Sequence, residues 1–184
     1  MCGITAIISS FFIYSKMNNR IKEQLLGFLN TPPLWKDHDL FDLLQFPFPD
    51  PPVTELLNSR VEIPGLETNF VLGKRMEIFF DHLLKNSEKY EVIGKNLQIF
   101  QGKLTLGELD FLIKNMENNT FHHIELVYKF YVYDSSYENE LERWIGPNRR
   151  DSLLQKIEKL NQRQFPILFK PESKKLLSEL NLKD

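Results

Sequence analysis

The chain has 184 residues, and its 23 basic and 25 acidic side chains leave a net charge close to zero. That balance excludes a protein held on nucleic acid mainly by a bulk positive field, so any such contact has to be local. Hydrophobic residues make up 42% of the chain, which excludes a disordered protein and fits one compact domain. Cys2 is the single cysteine, which excludes an intramolecular disulfide and favours the reducing cytoplasm.

Residues 1–16 form an apolar N-terminal extension. The run GITAIISSFFIY is shorter than the ~18 to 20 residues that span a bilayer. It also lacks the basic start and the cleavage site of a secretory signal, so no membrane association is expected. The polar stretch from Met17 leads into an amphipathic helix. We therefore expect translation to begin at Met17, which would place residues 1–16 upstream of the true start.

Residues 17–68 are predicted to be a helix followed by a proline-rich arm. The segments TPPLW and FPFPDPP flank a short apolar stretch, residues 40–45, that is predicted to be helical. Prolines forbid regular interior strands, so the arm is expected to be extended and to lie over the domain surface. The side chains that would hold it there are aromatic: Trp35, Phe41, Phe46 and Phe48.

An amphipathic helix is predicted over residues 69–88. Its apolar residues recur at helical spacing with charged residues between them, and they are Leu72, Met76, Phe79, Phe80, Leu83 and Leu84. Glu77 lies at the border of this apolar stripe, from which its carboxylate can lean toward a neighbouring sheet. The following run, YEVIGKNLQIFQG, predicts a first strand that is broken by a tight turn at Gly94-Lys95-Asn96.

Two further strands are predicted from GELDFLI and HHIELVYKFY, each with carboxylates on its polar face. Because side chains alternate along a strand, Asp110 shares a face with Glu108 and not with Phe111. Glu125 and Lys129 likewise share a face of the later strand. Such a pattern is typical of the wet side of a half-buried sheet. An acid on each of two adjacent strands, with a lysine nearby, also suits binding of a divalent cation and positioning of a water.

A second helix is predicted after the segment WIGPNRRD, with Asp151 or Ser152 as its N-cap. Its apolar stripe consists of Leu153, Leu154, Ile157 and Leu160. FPILF is predicted to be a short buried strand, so that the order is helix, three strands, helix, strand. Residues 171–184 are predicted to form a C-terminal helix, and because no later element follows it we expect the chain to be truncated.

The segments LGKRMEIFF, GELDFLI, HHIELVYKFY and WIGPNRRD resemble an uncharacterised bacterial family, domain of unknown function 1853 (DUF1853). Members of that family look like remote relatives of the PD-(D/E)XK nucleases. The resemblance implies an α/β fold with a restriction-endonuclease-like αβββαβ core over residues 69–170. In such a core, helices flank a mixed central sheet.

The resemblance also implies a nuclease site. Asp110 would be the first metal ligand and Glu125 the second, with Mg²⁺ or Mn²⁺ as the expected ion because the ligands are hard oxygens. Lys129 would stabilise charge or orient the attacking water, and Glu77 would complete the site from the helix. The usual motif places its Glu and Lys two residues apart, whereas here Val127 occupies that lysine position and Lys129 lies four residues after Glu125.

Two functions follow as alternatives from this pattern. One is a metal-dependent nuclease that cleaves DNA or RNA, and the other is a nuclease-like fold that no longer cleaves and serves as a nucleic-acid or protein binding module. Arg149 and Arg150 are the candidate contacts to a phosphate backbone, because guanidinium groups bind phosphate through paired hydrogen bonds. A solvated surface position is the alternative for both arginines. The sequence predicts no oligomeric state.

Overall fold

The computed structural model describes residues 13–35, 42–47, 63–67 and 69–182. Two helices come first and three strands follow: α1 (Ile13–Leu29), α2 (Leu72–Lys85), β1 (Tyr90–Gln101), β2 (Leu104–Asn115) and β3 (Phe121–Ile124). The remaining elements are β4 (Val132–Tyr133), β5 (Trp144–Ile145), α3 (Leu153–Lys159), a π-helical turn (Leu160–Gln164), a 3-10 helix (Phe165–Phe169) and α4 (Pro171–Glu179). The architecture is mixed α/β. Among these helices, none has both the length and the apolar character needed to cross a membrane.

Strands β1, β2 and β3 form one sheet in that order, and both pairings are antiparallel. The prediction of a mixed sheet is therefore wrong for the described residues. The predicted turn at Gly94-Lys95-Asn96 is wrong too, because β1 runs through it. The turn-forming residues instead distort the strand, since the pairing register shifts between Val92 and Gly94, and Asn96 has a left-handed φ of 52°.

Helix α2 covers one face of the sheet. Its apolar stripe packs with α1 and with alternate residues of β2 in a cluster, here called the first core, whose largest fully buried members are Phe79, Phe80, Phe111, Leu25, Leu84 and Ile113. The predicted helix is thus confirmed, with bounds a few residues shorter than expected. The only buried carboxylate on α2 is Asp81, whose Oδ2 accepts hydrogen bonds from Lys85 and Lys95 at 2.9 and 2.5 Å.

Helix α3 and the segment that follows it pack against a second cluster, here called the second core. Its buried members are Leu43, Leu153, Ile157 and Leu160, and Trp35, Val127, Tyr131, Trp144 and Phe165 pack against them. Ser152 caps α3 through a capping box with Gln155, as the sequence predicted for one of its two candidate caps. The two cores lie on the two sides of the chain after β3, because Leu126 and Tyr128 pack in the first core and Val127 in the second.

Two predicted strands differ from the structure. The strand predicted over HHIELVYKFY ends at Ile124, and the chain from residue 125 to residue 131 has no regular structure although its side chains still alternate between the cores. FPILF forms a 3-10 helix, so the prediction of a final strand is wrong. Pro166 has no N–H for a sheet ladder and has a backbone φ suited to a first helical turn, which explains the helical outcome.

The arm and the N-terminus are described in part. Trp35 packs against the second core and Phe46 against the ring of Phe80 at 5.9 Å, as predicted for the arm, whereas Phe41 and Phe48 lie outside the described residues. The short helix predicted over 40–45 is absent from its described part, residues 42–45. Helix α1 begins at Ile13, so it crosses the predicted boundary at residue 16. The start at Met17 and the truncated C-terminus stay predictions.

The first core predicts how stability responds to truncation. Phe111 is 1% exposed and meets Phe80 edge-on with their ring centroids 5.0 Å apart. We expect Phe111→Ala to lower the free energy of unfolding by about 3 to 5 kcal/mol, because it removes buried contacts and leaves a cavity. Phe169→Ala is the matched control, since Phe169 is 79% exposed and its loss should change stability by no more than about 0.5 kcal/mol. Urea denaturation measures both, and equal effects would contradict this assignment of the core.

Candidate functional site

The pairing of β2 with β3 brings Asp110 and Glu125 together. Phe111 pairs with Ile124, and β3 ends there, so the next position in the antiparallel register places Glu125 opposite Asp110. Residues that face each other across antiparallel strands lie on the same side of the sheet. The two predicted metal ligands therefore share a face, and it is the face opposite the one that Phe111 and Ile124 present to the first core.

Asp110 ends the strand ladder with its own side chain. Its Oδ2 accepts a hydrogen bond from the backbone N–H of Leu126 at 3.0 Å, which takes that donor away from a continued β ladder. Burial, followed by the negative charge of Glu125, raises the pKa of Asp110 to about 6 against the effect of that hydrogen bond. Glu77 and Glu108 add smaller contributions in the same direction. The site therefore concentrates negative charge in a poorly solvated place.

Glu125 is held by two side chains from different elements. The Nε2 atom of His123 lies 2.8 Å from its Oε1, and the amide of Gln164 donates to its Oε2. The side chain of Glu125 is 1% exposed and that of His123 is 4% exposed. Each carboxylate oxygen thus has a donor, which is what a buried carboxylate requires. His123 in turn packs against the ring of Phe165, with centroids 5.2 Å apart.

Lys156 reaches the same site from α3. Its Nζ donates to Oε1 of Gln164 at 2.8 Å, and the amide nitrogen of Gln164 donates to Glu125. Gln164 ends the π-helical turn, and such turns often occur at functional sites because they redirect a side chain. Burial lowers the pKa of Lys156, with Lys159 adding to that effect, while Glu125 and Asp110 act to raise it. The negative charges of both carboxylates therefore act on the ammonium group of Lys156.

Of the two other predicted site residues, Glu77 lies near Asp110 and Lys129 lies away from Glu125. Glu77 is close enough to Asp110 to influence its pKa, although its own carboxylate accepts a hydrogen bond from Lys74 at 2.7 Å. Lys129 does not pair with Glu125. Its Nζ lies 2.6 Å from Oδ2 of Asp151, in an ion pair whose side chains are 47% and 37% exposed. The lysine that was expected to act beside the two carboxylates, by stabilising charge or orienting the water, thus lies at the surface.

The WIGPNRRD segment forms a tight loop that holds Asp151. The N–H of Gly146 donates to the backbone oxygen of Asp151 at 2.7 Å, and Arg149 has a left-handed φ of 54°. The predicted phosphate contacts lie on this loop. Both arginines are exposed, and Arg149 is paired with Asp134 at 2.8 Å. The capping box of α3 uses Ser152 and Gln155 to satisfy N–H groups that would otherwise favour an anion.

The site offers two carboxylates to a cation. Within the described residues, no three His, Cys, Asp or Glu side chains are grouped so that they alone would hold a metal ion. Among the described residues, the hydrogen bond that the Asp110 carboxylate accepts goes to its Oδ2, and none goes to Oδ1. Two hard carboxylates in one desolvated place, with their charges raising a pKa, suit Mg²⁺ or Mn²⁺.

Sequence reasoning missed Lys156 and Gln164. Lys156 lies three residues after Leu153 and four before Leu160, both buried, so its helical position borders the second core. Its pairing was not predictable because Gln164 lies eight residues later, beyond the reach of a regular helix, and only the π-helical turn brings the two side chains together. The contact of His123 with Glu125 agrees with the alternation of a strand, because residues two apart share a face.

Comparison with known proteins gives a family. A family model described as Domain of unknown function (DUF1853) matches residues 50–184, which is more than half of the chain. No curated protein and no solved structure matches the chain. The matched range contains every side chain of the site described above, and the family description states no activity.

The raised pKa of Asp110 predicts how stability depends on pH. Its carboxyl binds a proton more tightly in the folded chain, at a pKa of about 6, than at the ordinary value of 3.8. The free energy of unfolding should therefore fall as the pH rises from about 4 to 6 and then level off. Asp110→Asn removes that fall and, after allowance for solvent screening, should stabilise the apo protein by about 1 to 2 kcal/mol at pH 7.5.

Denaturant unfolding at several pH values measures this effect. Glu91→Gln is a matched control, because Glu91 is an exposed carboxylate on β1 and its neutralisation should change stability by no more than about 0.5 kcal/mol. A destabilised Asp110→Asn protein at pH 7.5 would show that the aspartate is held by favourable contacts and is not under electrostatic strain.

The loop before α3 predicts a steric effect. A Cβ added at Gly146 would lie 1.9 Å from Oδ1 of Asp151. We expect Gly146→Ala to displace that carboxylate from Lys129 and to cost about 1 to 3 kcal/mol of stability. Gly73→Ala is the control, because nothing lies within 4 Å of a Cβ there and alanine favours a helix by up to about 1 kcal/mol. Thermal unfolding compares the two, and a neutral Gly146→Ala would refute the close packing of this loop.

Proposed function

The chain belongs to the DUF1853 family, and we propose that it is a Mg²⁺- or Mn²⁺-dependent hydrolase of phosphodiester bonds in nucleic acid, either DNA or RNA. The observation that supports this most is the placement of Asp110 and Glu125 on one face of the sheet, where the charge of Glu125 raises the pKa of Asp110. Keeping two carboxylates together away from water is unfavourable unless a cation offsets their charge.

The order of elements supports the same proposal. Helix α2 and the three antiparallel strands come in the helix–strands order of a PD-(D/E)XK core, and helix α3 follows after the two short strands β4 and β5. Within that order Glu77 comes from helix α2, Asp110 from the middle strand and Glu125 from the residue directly after the third strand. A nuclease-like relationship in a cytoplasmic protein is therefore part of the proposal, although the last strand of that core has no counterpart in the described residues.

Each protein group has a role in the proposed reaction. Asp110 and Glu125 would hold the metal ion, which when bound supplies charge for the phosphoryl oxygens and makes a water more acidic. His123 and Gln164 orient Glu125 by hydrogen bonds to its two oxygens. The first core, behind Phe111, keeps the strands and thereby the two carboxylates in fixed positions. Arg150, which is exposed, would contact the nucleic-acid backbone, and so would Arg149 if it exchanged its pairing with Asp134 for a phosphate.

A second candidate function is favoured by one observation. The side chain of Glu125 is 1% exposed and both of its oxygens already accept hydrogen bonds, so the network is closed without a metal ion. A closed network of this kind stabilises a fold and needs no ligand. The alternative is therefore a nuclease-like fold that binds nucleic acid or protein without cleaving it.

Calorimetric titration with Mn²⁺ separates these functions. We expect the wild-type protein to bind Mn²⁺, and Asp110→Asn and Glu125→Gln to abolish that binding, because each removes one anionic ligand. Glu91→Gln, an exposed carboxylate elsewhere on the sheet, should bind as the wild type does. Cleavage of single- and double-stranded DNA and RNA should depend on Mn²⁺ and fall at least ~10³-fold in both ligand variants.

The outcomes are distinct. Carboxylate-dependent Mn²⁺ binding with no cleavage of any of the four substrates would favour the binding module. If neither carboxylate variant changes the titration, the two side chains do not share an ion and the hydrolase proposal fails.

A further inference from the structure

We infer that Lys156 is the basic residue that compensates the negative charge of Asp110 and Glu125. It would stabilise charge or orient the attacking water, the role that the sequence analysis gives to Lys129. The inference deepens the proposed function and rests on it for the catalytic part of the role. Its structural part, a lysine of α3 that compensates the charge of the carboxylate pair, stands on the contacts of these residues alone.

The contacts connect Lys156 to the carboxylates in two steps. Its ammonium group donates to the side-chain oxygen of Gln164 at 2.8 Å, and the nitrogen of the same amide donates to Oε2 of Glu125. An amide between a lysine and a carboxylate fixes both, because it accepts on one side and donates on the other. Gln164 therefore positions the ammonium beside the carboxylate pair without forming a direct ion pair.

The charges around the site point the same way. Lys156 interacts favourably with both Glu125 and Asp110 through space, as the electrostatic effects on its side chain show. Lys129 is committed to Asp151 at 2.6 Å on the exposed loop. A lysine that is half-buried beside two carboxylates can neutralise charge that develops on a phosphate there, whereas an exposed ion pair is screened by water.

A lysine that does not pair directly leaves the negative charge of Glu125 without an ion-pair partner on α3. A direct salt bridge would occupy an oxygen of Glu125, but here that oxygen accepts from an uncharged amide. The positive charge of Lys156 would therefore repel a metal ion bound to Asp110 and Glu125, although its ammonium group occupies no oxygen of Glu125. Removing the lysine should then strengthen metal binding, and this outcome separates a charge-compensating role from a merely structural one.

Mn²⁺ calorimetry of Lys156→Met tests that outcome. We expect its affinity for Mn²⁺ to rise several-fold over wild type, because a positive charge near the ion is gone. Lys156→Arg keeps the charge and should bind as the wild type does. Lys159→Met is the matched control, since Lys159 is exposed on the same helix, and it should leave the affinity unchanged. Unchanged or weaker binding in Lys156→Met would overturn the inference.

Hydrolysis assays compare the two lysines. With Mn²⁺ at saturation, Lys156→Met should lose activity at least ~10²-fold, whereas Lys129→Met should retain most of it. Loss of activity in Lys129→Met with full activity in Lys156→Met would return the role to Lys129. These assays use single- and double-stranded DNA and RNA as substrates.

A double-mutant cycle of thermal stability tests whether Lys156 compensates the carboxylate charge, even if the wild-type protein binds no metal or cleaves nothing. Lys156→Met is measured in the wild-type background and in Asp110→Asn, by the midpoint of thermal unfolding at pH 7.5. The change in midpoint should be less favourable by a few degrees when Asp110 is present, because the attraction between Lys156 and Asp110 is lost only in that background. Additive midpoints would show that Lys156 does not compensate the charge of Asp110 and would overturn the inference, independently of whether the hydrolase proposal holds.

Discussion

Electrostatic repulsion between Asp110 and Glu125 in a poorly solvated place is the constraint on which the site depends. The antiparallel register brings them to the same face, and burial then prevents water from screening their charges. Neighbouring groups supply hydrogen-bond donors and a positive charge to the two carboxylates. Leu126 donates a backbone hydrogen bond, His123 and Gln164 supply side-chain donors, and Lys156 adds a positive charge one contact further away.

The rest of the fold keeps these groups from relaxing apart. Phe111 and Ile124, the last paired residues before the site, are buried in the first core under α2. On the other side, Val127 and Ile157 join the chain after β3 to α3 in the second core. A carboxylate pair on a mobile loop would separate and hydrate, whereas here the backbone of both residues is continuous with packed structure on both sides. Stored electrostatic strain of this kind is a common feature of binding and catalytic sites.

Alternation and helical spacing predicted much of this arrangement. They indicated α2, the strands of the sheet and the two faces of β2, because each is a local periodic property of the sequence. The pairing register that puts Glu125 beside Asp110 is not a local property, and alternation did not predict it. The early end of β3 was not predictable, because the apolar alternation continues through Tyr128, and only the hydrogen bond from Leu126 to Asp110 stops the ladder. FPILF also had the composition of a strand, but Pro166 favours the first turn of a helix.

The position of the basic residue shows why a motif in sequence is weaker evidence than a charge in space. A lysine two residues after Glu125 would point to the same strand face, but only if the strand continued, and here it ends at Ile124. Beyond that point side-chain direction is set by packing, which turns Lys129 toward Asp151. A half-buried ammonium on α3 meets the same electrostatic need, because repulsion between two carboxylates depends on where a positive charge lies and not on the segment that carries it. A search for the motif in related chains should therefore allow its lysine to come from the helix.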